Sequence, residues 1–355
     1  MDNSSQRKLL WVSPACEIPQ LAGEITAALV GNGPTLGFGQ ITSEFAPAIC
    51  AVVIGTSGSS GPAKEVALSA TALLTSARAA NTYIGARAGD TWSLLLPLTH
   101  IAAVNVVIRA IELGTLPIDL RNVTTDYPRV NFTAIVPTQL FRALNGDARL
   151  LKHLRDSEKV LVGGAALSQG MRNQAEAAGI KVIATYGMTE TCGGCIYDGT
   201  PLAGVEVEIF NGKINLRGPS LAMTYLNFPW VLRDGWFETN DLGEMHEDKV
   251  VITGRSDDVI ISGSENLSLA AVENSLAIKF PNLQCAAFSL ADPQWGQALH
   301  LAIVGDFEDS QISSHLESDF GVFAKPKGIY HVASLPLLGI GKVDKKTLAR
   351  EFNHE

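Results

Sequence analysis

Apolar and polar positions along this chain change their period several times, and each change marks a different kind of element. From Ala51 to Thr185, apolar runs near 51–54, 92–96, 132–136, 159–162 and 181–185 have the length of strands. The stretches near 69–84, 101–113, 138–144 and 168–178 repeat their apolar residues at helical spacing. Strands alternating with amphipathic helices predict an α/β domain with a largely parallel sheet. Ligands of such sheets collect at the carboxyl ends of the strands, so loops 55–64, 97–100, 163–165 and 186–195 are predicted to converge. Residues 1–45 are weakly periodic, with one helix predicted near Leu21 to Val30.

Beyond Cys195 the period shortens to that of strands and turns, and Asn211-Gly212 between two alternating segments is a strong hairpin signal. This β-rich subdomain runs to Val251-Ile252. A short charged connector, Gly254 to Asp258, follows, and a hinge is predicted there. The remainder reads as a compact α+β unit, with helices at 268–279, 310–320 and 344–352 and strands near 284–290, 298–304 and 328–333. The predicted domains are 1–256 and 257–355.

A chain of 355 residues is long enough for two such domains and a substantial core. Its net charge of −9, with no basic cluster in the sequence, argues against nucleic acid or an anionic membrane surface as the main partner and favours a small molecule. Five cysteines in no framework spacing suit a reducing cytoplasm. Cys192 and Cys195 form the one C-x-x-C, which without further ligands reads as a pair of loop cysteines. The polar N-terminus leads into no long apolar core, so no signal peptide is predicted and the expected location is the cytoplasm. The hydrophobic region Trp92 to Ile118 is interrupted by His100, Asn105, Arg109 and Glu112, and is predicted to be buried strand, loop and helix rather than a membrane span.

Candidate chemistry gathers in five segments. The apolar strand ending at Gly55 delivers Thr56-Ser57-Gly58-Ser59-Ser60-Gly61-Pro62-Ala63-Lys64, a loop of amides and hydroxyls with a cation at its rim, suited to phosphate oxygens. A plain Gly/Ser turn is the competing reading. The two residues between Gly61 and Lys64 exclude the G-x-x-x-x-G-K-[ST] spacing of a P-loop. Tyr186-Gly187-Met188-Thr189-Glu190 offers an aromatic face, a hydroxyl and a carboxylate on one strand-end loop. Asp241, in Gly235-Trp-Phe-Glu-Thr-Asn-Asp241, has the chemistry to accept two hydrogen bonds from a ribose diol, or simply to form a turn. Arg255 follows in the connector. Lys342, flanked by glycine, is alone an ordinary surface lysine. Arg109 lies among Ile101, Val104, Ile108 and Ile111; if buried it requires an anionic partner, and otherwise it reaches the surface or pairs with Glu112.

Taken in order, these motifs resemble the adenylate-forming superfamily of acyl-CoA synthetases, adenylation domains and luciferases, from Val52 to about Lys342. The resemblance implies a large N-terminal ATP-binding α/β domain with a β-rich subdomain, followed by a small α+β lid. It makes Thr56, Ser57, Gly58, Ser59, Ser60, Gly61 and Lys64 the phosphate loop, and lines the adenine pocket with Gly163, Gly164 and Ala165. Tyr186 then stacks on the base beside Gly187 and Met188, Thr189 and Glu190 serve the phosphates and Mg²⁺, and Asp241 and Arg255 hold the ribose. Asp257 becomes the hinge and Lys342 the lysine of the adenylation step.

Within the superfamily, Leu96-Pro-Leu-Thr-His-Ile101, Tyr186 to Gly194, Asp257 to Asn266 and Asp292-Pro-Gln-Trp-Gly-Gln297 are most similar to 2-succinylbenzoate–CoA ligases of menaquinone biosynthesis. That similarity implies ATP, coenzyme A and 2-succinylbenzoate as partners, and it allows a homodimer. It puts Arg109 and Thr138 beside the substrate acid, His100 at the gate of the thiol passage and Gly263 on a coenzyme A channel. Three departures stand out. The usual G-x-P-K-G is here Gly61-Pro-Ala-Lys-Glu65, T-G-D is Thr239-Asn-Asp241, and the part before Val52 is shorter than is typical.

Overall fold

The computed structural model describes residues 6–56, 63–263, 265–338 and 343–353. The chain divides into two compact units, one of residues 1–165, 175–208 and 215–238, the other of 166–174, 209–214 and 239–355.

In the first unit the strands between Gln6 and Pro201 lie in two sheets, where the sequence pattern led us to expect one. The larger has the order Thr200–Pro201, Gly193–Tyr197, Val182–Met188, Lys159–Val162, Phe132–Ile135, Trp92–Leu94, Ile118–Asp119. Its last five strands are parallel, and the first two are antiparallel. Cys50–Thr56 belongs to the other sheet, parallel to Thr35–Phe38, which is parallel to Gln6–Trp11. Periodicity missed both N-terminal strands: Thr35–Phe38 is buried on both faces and so does not alternate, and Gln6–Trp11 buries none of its residues. The predicted N-terminal helix is present as Ile18–Leu29.

Helices Ala70–Ile84 and Ile101–Glu112 share one core with both sheets. Ser69 caps the first, its hydroxyl accepting from Ala72 N at 3.1 Å, and Gly85 ends it at φ +75°. Helix Ile101–Glu112 is buried from Ala103 through Ala110, which explains its apolar composition all round. No helix among the described residues is long and apolar enough to cross a membrane. One helix, Ala148–Asp156, was not anticipated. Its buried face is small, Leu150, His153 and Leu154, and Asp147 caps it.

The second unit contains the pair Phe237–His246 and Lys249–Arg255, and a further sheet ordered Glu265–Ser268, Val259–Ser262, Gly296–Val304, Gln284–Asp292, with Gly328–His331 beside Gly296–Val304. Helices Leu269–Lys279 and Asp309–Phe320 pack on one cluster of that sheet's residues and Lys345–Phe352 on another. At the predicted hairpin, Asn211 and Gly212 have φ of +51° and +74°, the left-handed pair that a two-residue turn requires.

Candidate active site

The phosphate-loop candidate is held differently from expectation. Strand Cys50–Thr56 runs not into a helix but into a second strand, Lys64–Ser69, with Thr56 paired to Lys64 across an antiparallel ladder. Thr56 Oγ1 donates to the Lys64 carbonyl at 3.2 Å. The stretch Val66-Ala-Leu68, between the predicted loop 55–64 and the predicted helix near 69–84, has no alternation to mark it as a strand because both of its faces are buried. Ser57, Gly58, Ser59, Ser60 and Gly61 lie outside the described residues.

Glu65, the first departure from the family pattern, points away from Lys64 and into the protein. Its carboxylate accepts from Thr42 N and Thr42 Oγ1, both at 2.7 Å, and from Ser43 N at 3.3 Å. Burial alone would raise its pKa, but these donors bring it below the ordinary carboxylate value. It therefore anchors the strand and leaves the rim charge to Lys64. In the second departure, Asn240 is exposed and its carbonyl accepts from Ser256 Oγ at 3.1 Å.

Three of the four predicted loops meet in the first unit through short bridges. Gly39 fits where a side chain could not, since a Cβ there would stand 2.8 Å from the Gly55 carbonyl and 3.3 Å from that of Thr99. This brings the end of Cys50–Thr56 to the loop 97–100. Segment 222–226 joins Lys64–Ser69 to the turn carrying Glu190: Ala222 N donates to Glu190 O at 2.7 Å and Leu226 N to Glu65 O at 2.8 Å. In the fourth loop, Gly163 lies against Thr185 at the end of the neighbouring strand, and Gly164 and Ala165 are exposed.

Tyr186, Gly187 and Met188 end strand Val182–Met188, with Tyr186 half-buried opposite Ile196. A 3₁₀ turn, Thr189–Thr191, follows. Buried Thr191 holds that turn, its Oγ1 accepting from Met188 N at 3.0 Å and lying 2.7 Å from the Gly193 carbonyl it donates to. Glu190 Oε1 accepts the phenolic proton of Tyr225 at 2.8 Å. Tyr225 also presents its ring face to the Lys64 ammonium, 4.7 Å from the centroid. Burial and the adjacent carboxylate both push the Tyr225 phenol well above its ordinary pKa, so it stays a donor. Sequence reasoning missed Tyr225, because nothing in Thr224-Tyr225-Leu226 signals a partner 35 residues earlier.

His100 is the N-cap of helix Ile101–Glu112, and burial holds its imidazole below the ordinary pKa. Asn105 of that helix donates to the Cys192 carbonyl, and Arg109 donates to the Tyr197 hydroxyl at 3.0 Å, so the helix lies along Gly193–Tyr197. Arg109 is 4 % exposed. Its guanidinium sits 5.3 Å from the centre of the Trp92 ring, and its Nε has no hydrogen-bond partner among the described residues. Both of the bland readings fail: the side chain does not reach the surface, and Glu112 is bound by Arg78. Thr138 is half-buried in the first turn of helix Pro137–Leu144. Cys192 and Cys195 are buried and form no disulfide, Cys195 within a strand.

In the second unit Asp241 and Arg255 face each other across Phe237–His246 and Lys249–Arg255, joined by an Nη1–Oδ1 contact of 2.8 Å. Arg255 also grips Asp257 in bidentate fashion, at 2.7 and 2.8 Å. That hydrogen bonding, followed by the charge of Asp241, raises the guanidinium pKa further. Thr239 Oγ1 accepts from Asp241 N at 3.0 Å. Gly263 has φ +68°, and a Cβ there would stand 2.5 Å from the Trp295 ring, so the position admits only glycine. Lys342 lies outside the described residues.

Comparisons with known proteins agree with this arrangement. The AMP-binding enzyme family profile matches residues 15–226. A probable 2-succinylbenzoate–CoA ligase of Mycobacterium tuberculosis is 37 % identical over 331 residues, covering 86 % of this chain and 85 % of that protein. A 2-succinylbenzoate–CoA ligase of Staphylococcus epidermidis is 30 % identical over 340 residues, covering 86 % and 70 %. Among solved structures, wild-type E. coli MenE with a bound phenylether-linked analogue of OSB-AMS superposes with a TM-score of 0.71 at 26 % identity, over 97 % of this chain and 82 % of that one. The match spans well over half of the sequence and includes Thr56, Lys64, Tyr186, Glu190 and Tyr225, and the chain belongs to the AMP-binding enzyme family.

Proposed function

We infer that this chain is an AMP-forming 2-succinylbenzoate–CoA ligase. A carboxylate is a poor acyl donor, so it first attacks the α-phosphorus of ATP, giving an acyl-adenylate and pyrophosphate. The thiol of coenzyme A then displaces AMP. Negative charge moves onto the phosphate oxygens and the leaving pyrophosphate in the first step, and cations fixed beforehand stabilise it. On this reading Lys64 and the loop 56–61 hold the phosphates, Thr189 and Glu190 face them, and Tyr186 stacks on adenine over Gly163, Gly164 and Ala165. Asp241 and Arg255 bind the ribose diol. The residues from Asp257 onward act as a lid that presents Lys342 for adenylation and then turns to bring Gly263 to the thiol passage gated by His100.

The AMP-binding family's ATP-using ligases generally employ Mg²⁺. Glu190 suits it: a half-buried carboxylate with only Oε1 engaged among the described residues, and no group of three His, Cys, Asp or Glu nearby that would make a protein cage. Mg²⁺ ordinarily takes one or two carboxylates and completes its shell with substrate phosphates and water. When bound it would neutralise phosphate charge.

The observation that carries the substrate assignment is Arg109, a buried guanidinium whose Nε has no partner among the described residues, on the helix that begins after His100. One carboxylate of a diacid remains unreacted, and a guanidinium holds it with charge-assisted hydrogen bonds. A panel of aryl and dicarboxylic acids, assayed for AMP and acyl-CoA together, tests the reading. Turnover is expected with 2-succinylbenzoate. AMP without thioester would mean a stand-alone adenylation enzyme, a preference for another acid would reassign the substrate, and nucleotide binding without AMP release would indicate a non-catalytic relative. In the same assay Lys342→Ala should lower adenylate formation roughly 10²–10³-fold while sparing thioester formation from presynthesised adenylate.

A further inference from the structure

We propose that Tyr225 is a positioning residue that keeps Glu190 and Lys64 apart and holds each in place with a different feature of its ring. The proposal rests on the reading of Glu190 and Lys64 given above and extends it to a residue with no assigned role. A glutamate and a lysine brought to one small region at the end of two strands have an easy alternative to binding a ligand: each other. A direct ion pair would withdraw the carboxylate from the metal and the ammonium from the phosphates. In the structure Tyr225 is the contact of both. Its hydroxyl donates to Glu190 Oε1 at 2.8 Å, and its face receives the Lys64 ammonium 4.7 Å from the ring centre. The hydrogen bond fixes a rotor of Glu190 while leaving the second oxygen for a cation, and the cation–π contact holds Lys64 without consuming any of its three donors.

The ring is itself rigidly placed. Tyr225 is 8 % exposed and pairs with Val66 on the strand that carries Lys64. Leu226 N and Ala222 N on either side bond to the carbonyls of Glu65 and Glu190. Trp230 packs edge-on against it at 5.0 Å and is in turn stacked on Phe237 at 4.8 Å. The backbone of one short segment is thus tied to both of the side chains' own residues or their neighbours, so the spacing is built in before any ligand arrives.

Two substitutions separate the two features. Tyr225→Phe keeps the ring and its packing but removes the hydroxyl; Tyr225→Leu removes both. Binding is measured without any acid substrate, using calorimetry for metal-free ATP and electron paramagnetic resonance for Mn²⁺ in the presence of ATP, with melting curves as a folding control. For Tyr225→Phe we expect Mn²⁺ affinity to fall roughly tenfold, the scale of losing a hydrogen bond to a charged group, with metal-free ATP unchanged. Tyr225→Leu should weaken both, and added Lys64→Met should abolish its extra loss of Mn²⁺ affinity by removing the competing pair. Unchanged Mn²⁺ affinity in a folded Tyr225→Phe protein would overturn the proposal. So would equal losses in the two single variants. Failure of wild-type enzyme to turn over 2-succinylbenzoate would strike the functional reading alone, since these measurements involve no acid.

Discussion

Arg109 and Arg255 lie in regions that treat a cation in opposite ways. Around Arg255 the protein supplies the counter-charges: Asp241 across the strand pair, and Asp257 in a bidentate grip. Around Arg109 it supplies a phenol and an indole face but, among the described residues, no carboxylate. Yet Arg109 is the more deeply buried, at 4 % exposure, while the Arg255 side chain keeps 33 %. Burying a cation without a counter-ion is costly, so an enclosed guanidinium calls for an anionic partner. The count of protein partners, more than the depth of burial, separates the two arginines, and on the proposed reading Arg109 takes its anion from the substrate.

The sharpest way to break the comparison is Arg109→Ala. If Arg109 holds the free carboxylate, kcat/KM for 2-succinylbenzoate falls by about 2–5 kcal/mol, the cost of breaking a buried charge pair, while ATP binding stays near wild type. A folded variant with normal use of the diacid would make Arg109 structural. Next in size, Arg255→Ala strips Asp241 of its cross-strand partner; if Arg255 also binds the ribose, calorimetry should show AMP binding weakened by about 1.5–3 kcal/mol, with the affinity for the acid little changed. An unaltered AMP constant would remove Arg255 from the nucleotide site. Asp257→Asn tests the other arm. Both groups of that pair are about one-third exposed, so the urea midpoint should report only about 0.2–1 kcal/mol; a larger loss would mean the grip is a structural strut.

The smallest effect is expected from pH, and it extends the contrast to histidine. His153 in the first unit is buried against Ser93, at 2.9 Å, and burial keeps its pKa below the ordinary 6.5. Its unfolded form therefore takes up a proton first as pH falls through 6.5, and stability is lost below that value. In the second unit exposed His331 is raised by its hydrogen bond to Asp309, so its contribution is present at acid pH and is lost as pH rises through the raised value. Melting curves at pH 7.5 and 5.5 should show an acid-dependent loss that His153→Gln reduces and His331→Gln does not. The same slope in wild type and His153→Gln would assign the acid sensitivity elsewhere.

Much of the architecture was legible because it is written in neighbouring residues. Ser69, Ser268 and Asp344 cap helices from positions directly before them, and the Asn211-Gly212 turn needs only its own two φ angles. Asp147 announced helix Ala148–Asp156 in the same way, but three buried residues were too few for the apolar pattern to register. Strand Lys64–Ser69, between the predicted loop and the predicted helix, carries no such signal for a related reason: a strand buried on both faces has no alternation to mark it. The candidate site was legible as an ordered set of motifs and as side chains of the right chemistry, though not as an arrangement.

By itself the sequence determined most of the alternating strands and helices, the Asn211-Gly212 turn and the family, since each depends on residues a few positions apart or on motifs that can be read in line. Only the tertiary structure decided that Cys50–Thr56 and Trp92–Leu94 belong to different sheets, that Glu65 turns inward to Thr42 and Ser43, and that Arg109 is enclosed with Tyr197 and Trp92. It also placed Tyr225 between Glu190 and Lys64. These are contacts between distant parts of the chain, and they form only when burial of the shared core fixes which surfaces meet; local propensity carries no record of that choice.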